Sequence, residues 1–250
     1  MKYLKIRNIT IGKGTPKIAV SLTEKKPAKL IAEAQKIVSE QPDIIEWRID
    51  FLADLFDLAK LKKLAADLRM AIGDTVLLIT LRTKKEGGNQ ALSDTDYFNI
   101  CKYVIENKLS DLIDIELLHQ KTKVRQLLLL AHANGLKVIL SSHDFKKTPK
   151  QAEICNRLTL MEKTGADLAK VAVMPQNVTD VLNLLVATSI AQSRLTIPLI
   201  TISMGKMGKI SRISGQLFGS AVTFGTVTKA SAPGQIALAN LKKIIETLEL

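Results

Sequence analysis

The stretch Ala166-Asp-Leu-Ala-Lys170-Val-Ala-Val-Met-Pro175 is typical of a short buried β-strand with one lysine at its centre. Five of the six residues from 168 to 173 are apolar, as expected for a strand covered on both faces in a parallel sheet. A charged ammonium in such a strand is costly unless it is paired or loses its proton. Lys170 is therefore either an edge-strand residue that points at water or a nucleophile for carbonyl carbon.

On both sides of this strand, strand-like and helix-like segments alternate along the chain. Eight strand–helix pairs follow a predicted hairpin at residues 3–11, and this alternation indicates parallel strands joined by helical crossovers. Eight units in about 235 residues predict a closed (β/α)₈ barrel of the TIM type. An open doubly wound sheet is the alternative, but no G-x-G-x-x-G follows a strand. Without repeats or linkers, residues 1–250 are predicted to form one domain.

The segment boundaries follow from apolar periodicity and from turn residues. The predicted strands cover residues 17–22, 43–49, 75–82, 111–116, 136–141, 168–173, 198–202 and 221–225. The predicted helices cover residues 27–40, 58–71, 93–107, 148–164, 177–192, 207–218 and 234–248, with one more ending at 134.

Composition bounds the class of protein. The hydrophobic content of 46% suffices for a full core, and no uncharged apolar run of about eighteen residues is present, so we expect no membrane span. The two cysteines, Cys101 and Cys155, lack the spacing of a disulfide framework or a zinc site. No signal segment opens the chain. We therefore expect a cytoplasmic protein without a metal.

The net charge of +12 is compatible with binding to nucleic acid or a membrane, and equally with a lysine-rich surface. Lysines are spread along the whole chain, and only 4% of residues are aromatic. Because no basic run carries interleaved aromatic residues, we expect no nucleic-acid partner. The surplus charge would still attract an anionic small molecule.

Polar side chains recur where the predicted strands end. In a (β/α)₈ barrel the chemistry lies at the carboxyl ends of the strands. Residues two apart in a strand share a face, so several of these side chains are expected to point into the barrel together. They are Ser21, Glu46, Arg48, Asp50, Thr80, Arg82, Glu86, Asp114, Glu116, Ser141, His143, Lys170, Ser203 and Thr226.

Structural roles are the alternative for the charged strand residues. Glu46 and Arg48 could form an ion pair that plugs the barrel. Asp114 and Glu116 are interpreted as supports for neighbouring arginine or lysine side chains.

The histidines and one arginine have structural alternatives as well. His143 could cap a helix or belong to a turn at residues 141–145, and Arg212 could be solvated, because it lies in a Gly/Ser-rich stretch. His119 and His132, at the start of a helical pattern and inside one, are predicted to lie on the surface.

Taken in order, these residues make the chain resemble the type I 3-dehydroquinate dehydratase family from end to end. Each stretch alone is weak, whereas the set in this order is specific. The matching stretches are Glu46-Trp-Arg48-Ile-Asp50, Thr80-Leu-Arg82-Thr-Lys-Lys-Glu86-Gly-Gly88, Asp114-Ile-Glu116, Ser142-His143-Asp-Phe145, Lys170-Val-Ala-Val-Met-Pro175, Ser203-Met-Gly-Lys-Met-Gly-Lys-Ile-Ser-Arg212 and Ala230-Ser231-Ala-Pro-Gly-Gln235.

The resemblance implies a (β/α)₈ barrel whose N-terminal hairpin closes the bottom. It implies a lyase of the shikimate pathway of aromatic amino acid biosynthesis, which removes water from 3-dehydroquinate to give 3-dehydroshikimate. It also implies that no cofactor and no metal are needed, and that the protein is a homodimer.

The resemblance implies three catalytic residues. Lys170 would form the Schiff base, and burial beside arginines would favour its neutral form, although a free lysine titrates near about 10.4. His143 would move protons, because an imidazole titrates near neutrality. Glu86 would accept the other ring N–H of His143 and fix its tautomer.

The resemblance also implies the residues that bind the substrate. Arg212 would bind the carboxylate with two parallel hydrogen bonds. The hydroxyl groups would be held by Ser21, Glu46, Arg48, Arg82, Ser231 and Gln235. Met204 and Phe224 would form an apolar wall, and residues 226–234 would form a lid that carries Ser231 and Gln235.

Two other functions remain open at this stage. A Schiff-base aldolase on the same barrel would usually carry a phosphate pocket after strands seven and eight, and no Gly-rich phosphate site is evident there. A basic nucleic-acid-binding protein would show salt-dependent binding to DNA, but no groove-reading motif is present.

Overall fold

The computed structural model describes residues 3–248. The strands are β1 (Leu4–Ile6), β2 (Ile9–Ile11), β3 (Lys17–Leu22), β4 (Ile44–Arg48), β5 (Val76–Thr80), β6 (Leu112–Glu116), β7 (Lys137–Asp144), β8 (Leu168–Val173), β9 (Leu199–Ser203), β10 (Val222–Thr226) and β11 (Ile236–Ala237). The helices are α1 (Pro27–Ser39), α2 (Leu58–Ile72), α3 (Asp94–Glu106), α4 (Lys121–Ala133), α5 (Gln151–Thr164), α6 (Val178–Arg194), α7 (Lys209–Ile213), α8 (Gly215–Phe218) and α9 (Leu238–Thr247).

Eight parallel strands curl into a barrel. Strands β3 to β9 pair in chain order, and β10 pairs with β3. A bridge between Leu199 and Ser220, and a 2.7 Å hydrogen bond from Ala221 N to Leu199 O, join the ends of β9 and β10. The predicted (β/α)₈ barrel is confirmed. No helix among residues 3–248 combines the length and the apolar character needed to cross a bilayer.

The barrel interior is divided along its axis into an apolar and a polar half. Side chains alternate along a strand, so every second residue points inward. Near the amino ends these positions hold apolar residues such as Ile44 and Leu112, which pack together. Two residues further along, the same strands present Glu46 and Asp114, both buried. The polar groups are thus gathered at the carboxyl ends, above an apolar floor.

The predicted N-terminal hairpin is also confirmed. Strands β1 and β2 pair antiparallel through a turn in which Arg7 has a φ of 47°. Ile6 and Ile11 are buried in the same apolar cluster as the barrel interior. Arg7 donates from Nε to Oδ1 of Asp111 at 2.6 Å, which ties the turn to the start of β6. The hairpin therefore closes the end of the barrel opposite the polar half.

Most boundaries differ from the prediction by one or two residues, and four differences are larger or divide an element. The residue before a proline avoids helical geometry, so α5 begins after Pro149 rather than at 148. The predicted helix at 207–218 divides into α7 and α8, and residues 236–237 pair with β10 as β11 instead of starting the last helix. Strand β7 continues to Asp144, which pairs with Val173, so the interpretation of His143 as a turn residue is wrong.

Candidate active site

A cavity opens at the carboxyl ends of the barrel strands. Nine of the ten predicted site residues line it, and the tenth, Ser21, donates its hydroxyl to Glu46 within the same network. Met204 and Phe224 form apolar wall, as predicted. The nine are Glu46, Arg48, Arg82, Glu86, His143, Lys170, Arg212, Ser231 and Gln235.

Lys170 lies at the centre of β8, with 4% of its surface exposed. Strand β8 pairs with both β7 and β9, so the alternative of an edge strand is wrong. The Nζ atom lies 3.2 Å from Oδ2 of Asp114 and 3.6 Å from Oε1 of Glu46. It also lies 4.7 Å from the centroid of the Phe224 ring. The amine therefore faces the cavity beside two carboxylates.

His143 lines the same cavity from the neighbouring strand. Its Nδ1 lies 2.9 Å from Oε2 of Glu86, and its backbone N donates to the same oxygen at 3.0 Å. Burial, with the positive charges of Arg82, Lys170 and Arg48, holds the pKa of His143 well below its usual range. With Nδ1 occupied by Glu86, Nε2 is the ring nitrogen left for a ligand.

Glu86 is buried, and its protonation state determines which ring nitrogen of His143 carries the proton. Burial raises the pKa of Glu86 to about 8; Arg82 opposes the shift, and Glu116 and Asp114 add to it. An ionised Glu86 accepts Nδ1–H and leaves Nε2 without a proton. A protonated Glu86 can instead donate to Nδ1, which places the ring proton on Nε2. The base-competent ring thus requires an ionised Glu86.

The loop after β5 returns sharply to place Glu86. Gly87 has a φ of 82°, in the left-handed region that favours glycine. A Cβ atom at Gly88 would lie 1.9 Å from the carbonyl oxygen of Arg82. The Gly87-Gly88 pair is therefore required for this turn.

Arg82 lines the cavity and is surrounded by carboxylates. Its NH1 donates to Glu116 Oε1 at 3.1 Å and to Ser141 Oγ at 2.9 Å, and its NH2 lies 2.8 Å from Asp114 Oδ1. Glu86 Oε2 is 3.5 Å away. Burial alone lowers the pKa of Arg82, but the three carboxylates outweigh it and raise that pKa above its ordinary value. Asp114 and Glu116 support this cation, as the sequence predicted.

Glu46 and Arg48 do not pair with each other, so the interpretation of a plugging ion pair is wrong. Glu46 accepts from Ser21 Oγ at 2.5 Å and from Thr80 Oγ1 at 3.0 Å. Arg48 makes two parallel hydrogen bonds to Asp50, at 2.8 and 2.9 Å. The chain turns directly after β4, which brings the Asp50 carboxylate back to the arginine.

Arg212 is buried, and no carboxylate among residues 3–248 forms an ion pair with it. It is 2% exposed, and its hydrogen bonds go to the carbonyl oxygens of Pro233, at 2.9 Å, and Phe224, at 3.5 Å. Its Nε has no partner among the described residues. Burial lowers the pKa of Arg212 to about 10. The alternative of a solvated arginine is wrong, and the site carries a positive charge that an anionic ligand would balance.

The lid was predicted at residues 226–234. Thr226 belongs to β10, and residues 227–235 form the loop that follows it, from which Ser231, Ala232 and Gln235 line the cavity. Ser231 donates from Oγ to Oγ of Ser21 at 2.8 Å, which connects this loop to β3, the strand that pairs with β10. Gly234 has a φ of 80°, and a Cβ there would lie 2.2 Å from the carbonyl oxygen of Gly205. The lid therefore packs backbone against backbone on the loop that follows β9.

One residue near the site was missed by sequence reasoning. His119 was predicted on the surface, but only 7% of its side chain is exposed, and its ring stacks on Tyr97 with centroids 4.3 Å apart. Its Nε2 lies 3.2 Å from Oε2 of Glu116. The three-residue spacing from Glu116 was the available signal. His132 is 39% exposed and contacts Asp167.

The fold and the cavity define a (β/α)₈-barrel enzyme whose ionisable side chains meet at the carboxyl ends of the strands. Within residues 3–248, no group of three or more His, Cys, Asp or Glu side chains is placed to hold a metal ion. Comparison with known proteins assigns the family.

The sequence model described as "Type I 3-dehydroquinase" matches residues 18–250. The 3-dehydroquinate dehydratase of Lactiplantibacillus plantarum is 50% identical over 247 residues, covering 99% of this chain and 98% of the relative. The Klebsiella pneumoniae enzyme of the same name is 47% identical and covers 97% of each chain. The crystal structure of the type I enzyme from Clostridium difficile, with covalent modified comenic acid, has a TM-score of 0.96 at 43% identity, covering 99% and 98% of the two chains. This chain belongs to the type I 3-dehydroquinase family.

Proposed function

We propose that this protein dehydrates 3-dehydroquinate to 3-dehydroshikimate through a Schiff base on Lys170. The substrate and product follow from the family and the names of its relatives. The observation that carries the mechanism is a buried amine and an imidazole that line the same cavity. A lysine amine that adds to a ketone and a neighbouring proton carrier suit elimination next to a carbonyl group.

Lys170 passes one ammonium proton to Nε2 of His143, and the free amine adds to the ketone carbon to give a carbinolamine. His143 returns that proton to the carbinolamine hydroxyl, which leaves as water, so that an iminium ion remains. The iminium draws electrons from the adjacent carbon, so His143 can remove a proton from that carbon through Nε2. The resulting enamine expels the hydroxyl group, which leaves as water with the proton that His143 returns. Hydrolysis of the product imine consumes one water and restores Lys170. The net change is the loss of one water.

The two carboxylates beside Lys170 have a role in this sequence. Asp114 and Glu46 hold the Nζ atom in place before the substrate arrives. Both stay charged at neutral pH: burial alone would raise their pKa, but the positive charges of Lys170 and of Arg82 or Arg48 outweigh it and leave both pKa values below the usual range. They can therefore stabilise the iminium, which keeps the positive charge of the lysine.

Reductive trapping tests this function directly. Borohydride added with 3-dehydroquinate should reduce the imine and leave one covalent adduct, located by mass spectrometry on the peptide that contains Lys170. Formation of the conjugated enone should be visible by absorbance without borohydride. An adduct on another lysine would overturn the mechanism, and absence of enone formation would overturn the activity.

Replacement of Arg212 by methionine should affect binding and stability in opposite directions. Loss of two charge-assisted hydrogen bonds, together about 3 kcal/mol, should raise the KM for 3-dehydroquinate about a hundredfold. Thermal unfolding should show equal or higher stability, because the arginine is buried without a carboxylate. Lys209→Met, an exposed residue of α7, is the matched control. An unchanged KM would exclude Arg212 as the carboxylate ligand.

The pH dependence of kcat/KM should report the ionisation of Glu86. Because its pKa is raised to about 8, activity should increase with pH up to about that value as the carboxylate forms and frees Nε2 of His143. The folded chain holds this proton more tightly than the unfolded chain, so the stabilisation from Glu86 is lost as the pH rises through about 8. Glu86→Gln should be less active and lack this acid limb. The same limb in the variant would contradict the assignment.

Three further properties remain predictions. We expect residues 1–250 to act as one domain, the protein to form a homodimer, and its location to be the cytoplasm. Sedimentation of the purified chain would test the second of these.

A further inference from the structure

His119 sits between two carboxylates outside the cavity lining. Its ring stacks on Tyr97 and meets Phe98 edge-on at 5.5 Å. Its Nδ1 lies 3.2 Å from Oδ1 of Asp94, and its Nε2 lies 3.2 Å from Oε2 of Glu116. An ionised carboxylate only accepts hydrogen bonds, so both contacts are satisfied only when each ring nitrogen carries a hydrogen. The ring is thus placed to donate a hydrogen bond to Glu116.

Glu116 connects this ring to the site. Its Oε1 accepts from Arg82 at 3.1 Å and from the backbone N of Thr83 at 2.8 Å, and its Oε2 accepts the Thr83 hydroxyl at 2.7 Å. Burial alone raises the pKa of Glu116, but the hydrogen bond from His119 and the charge of Arg82 outweigh it and leave that pKa below its usual range. His119 therefore helps to keep Glu116 ionised.

The series of charged contacts continues to the catalytic pair. Arg82 NH1 lies 3.5 Å from Oε2 of Glu86, and that oxygen lies 2.9 Å from Nδ1 of His143. A continuous path of charged side chains thus runs from His119 through Glu116, Arg82 and Glu86 to His143. Neighbouring side chains along this path are within 3.5 Å of each other.

We propose that His119 is a positioning residue for the acid–base pair of this enzyme. By donating to Glu116, it leaves the charge of Arg82 available to Glu86, which lowers the pH at which Glu86 ionises and accepts the Nδ1–H of His143. The inference rests on the proposed function. Without the His119 ring, Glu116 draws Arg82 toward itself, and Glu86 keeps its proton to higher pH.

Other charges near these groups bear on the same equilibrium. The groups facing Glu86 are Arg82, Glu116, Asp114 and His143. The groups facing His119 are Asp94, Glu116 and Tyr97, with Lys121 and Arg125 of α4 lining the groove beside it. Among the groups named as facing Glu86, Arg82 is the arginine that both Glu86 and Glu116 contact, which makes the ionisation of Glu86 sensitive to His119.

Two substitutions separate the parts played by the ring. His119→Phe keeps the stacking on Tyr97 and removes both N–H groups, whereas His119→Gln keeps a donor for Glu116 without a charge. His132→Gln, a half-exposed histidine of α4 that contacts Asp167, is the control. We would measure kcat and KM from about pH 6 to about pH 9, together with thermal unfolding.

For His119→Phe we expect kcat to fall about threefold near neutral pH with KM within about twofold. The acid limb should move to higher pH by about half a unit, so that the deficit shrinks at alkaline pH. His119→Gln should lie between this variant and the parent, and His132→Gln should match the parent.

Three outcomes overturn the inference. One is an unchanged kcat profile in His119→Phe. Another is a kcat of His119→Phe that is lower by the same factor at every pH, together with a lower melting temperature, because that would indicate a purely structural role. If His119→Phe does not fold, an unshifted acid limb in His119→Gln has the same meaning. A parent protein that forms no enone would overturn the proposed function instead, so the two failures are distinguishable.

Discussion

Replacement of Lys170 by methionine should lower kcat by about 10⁴-fold or more, the size of effect seen when a covalent nucleophile is removed. The methionine fills similar space but has no amine, so no iminium can form and the proton next to the ketone stays weakly acidic. His143 and Arg212 should still be in place, and the variant should still bind substrate. Absorbance of the enone measures the first effect, and calorimetric titration with 3-dehydroquinate measures the second.

The same substitution should destabilise the fold. Asp114 and Glu46 would lose a cation at 3.2 and 3.6 Å, although Arg82 and Thr80 still contact them. We expect a cost of about 1–3 kcal/mol in the free energy of unfolding, measured in urea.

Lys137→Met is the control for this experiment. Lys137 is a half-buried lysine that pairs with Asp167 at the opposite end of the barrel, and its removal should leave kcat intact. More than about one per cent of parental activity in Lys170→Met would refute the covalent mechanism.

Replacement of His143 by alanine should lower kcat by about 10²–10⁴-fold, the usual contribution of a general acid–base. The amine of Lys170 would remain, so the imine should still form, but no group would carry the proton from carbon to the leaving hydroxyl. Borohydride should therefore trap a substrate adduct on Lys170 even when product formation is nearly absent. This combination distinguishes loss of proton transfer from loss of the nucleophile.

His132→Ala serves as the matched control, because that ring lies on α4 away from the cavity and should affect neither quantity. If His143→Ala kept near-parental turnover, or formed neither adduct nor product, the separate roles given to the two residues would be incorrect. The pKa of His143, held well below its usual range, makes the unprotonated ring the resting form, as this role requires.

The barrel could be predicted because its signals are local and repeated. Each strand is a short apolar run, each helix follows with its own start and stop residues, and the period of two within a strand places Glu46 and Arg48 on one face. The cluster at the carboxyl ends then follows from the fold alone. The recognition of seven ordered stretches added the substrate and the roles.

Partners across the structure were not predictable in the same way. The pairing of Arg48 with Asp50, rather than with Glu46, depends on the turn that directly follows β4. The His119 side chain is buried because Tyr97 of α3 covers its ring. The lid contact between Ser231 and Ser21 spans 210 positions of sequence. Local pattern carries no information on such contacts, because they depend on how the elements are assembled.

The hairpin that closes the amino end of the barrel has a consequence for traffic through the enzyme. Ile6 and Ile11 pack into that end of the barrel and block it. Substrate and product must therefore use the same opening, at the carboxyl ends of the strands, where the loop that carries Ser231 contacts β3. Departure of one molecule must then precede arrival of the next. Inhibition by 3-dehydroshikimate should accordingly be competitive with 3-dehydroquinate. The rate at which the loop that carries Ser231 opens sets an upper limit on kcat.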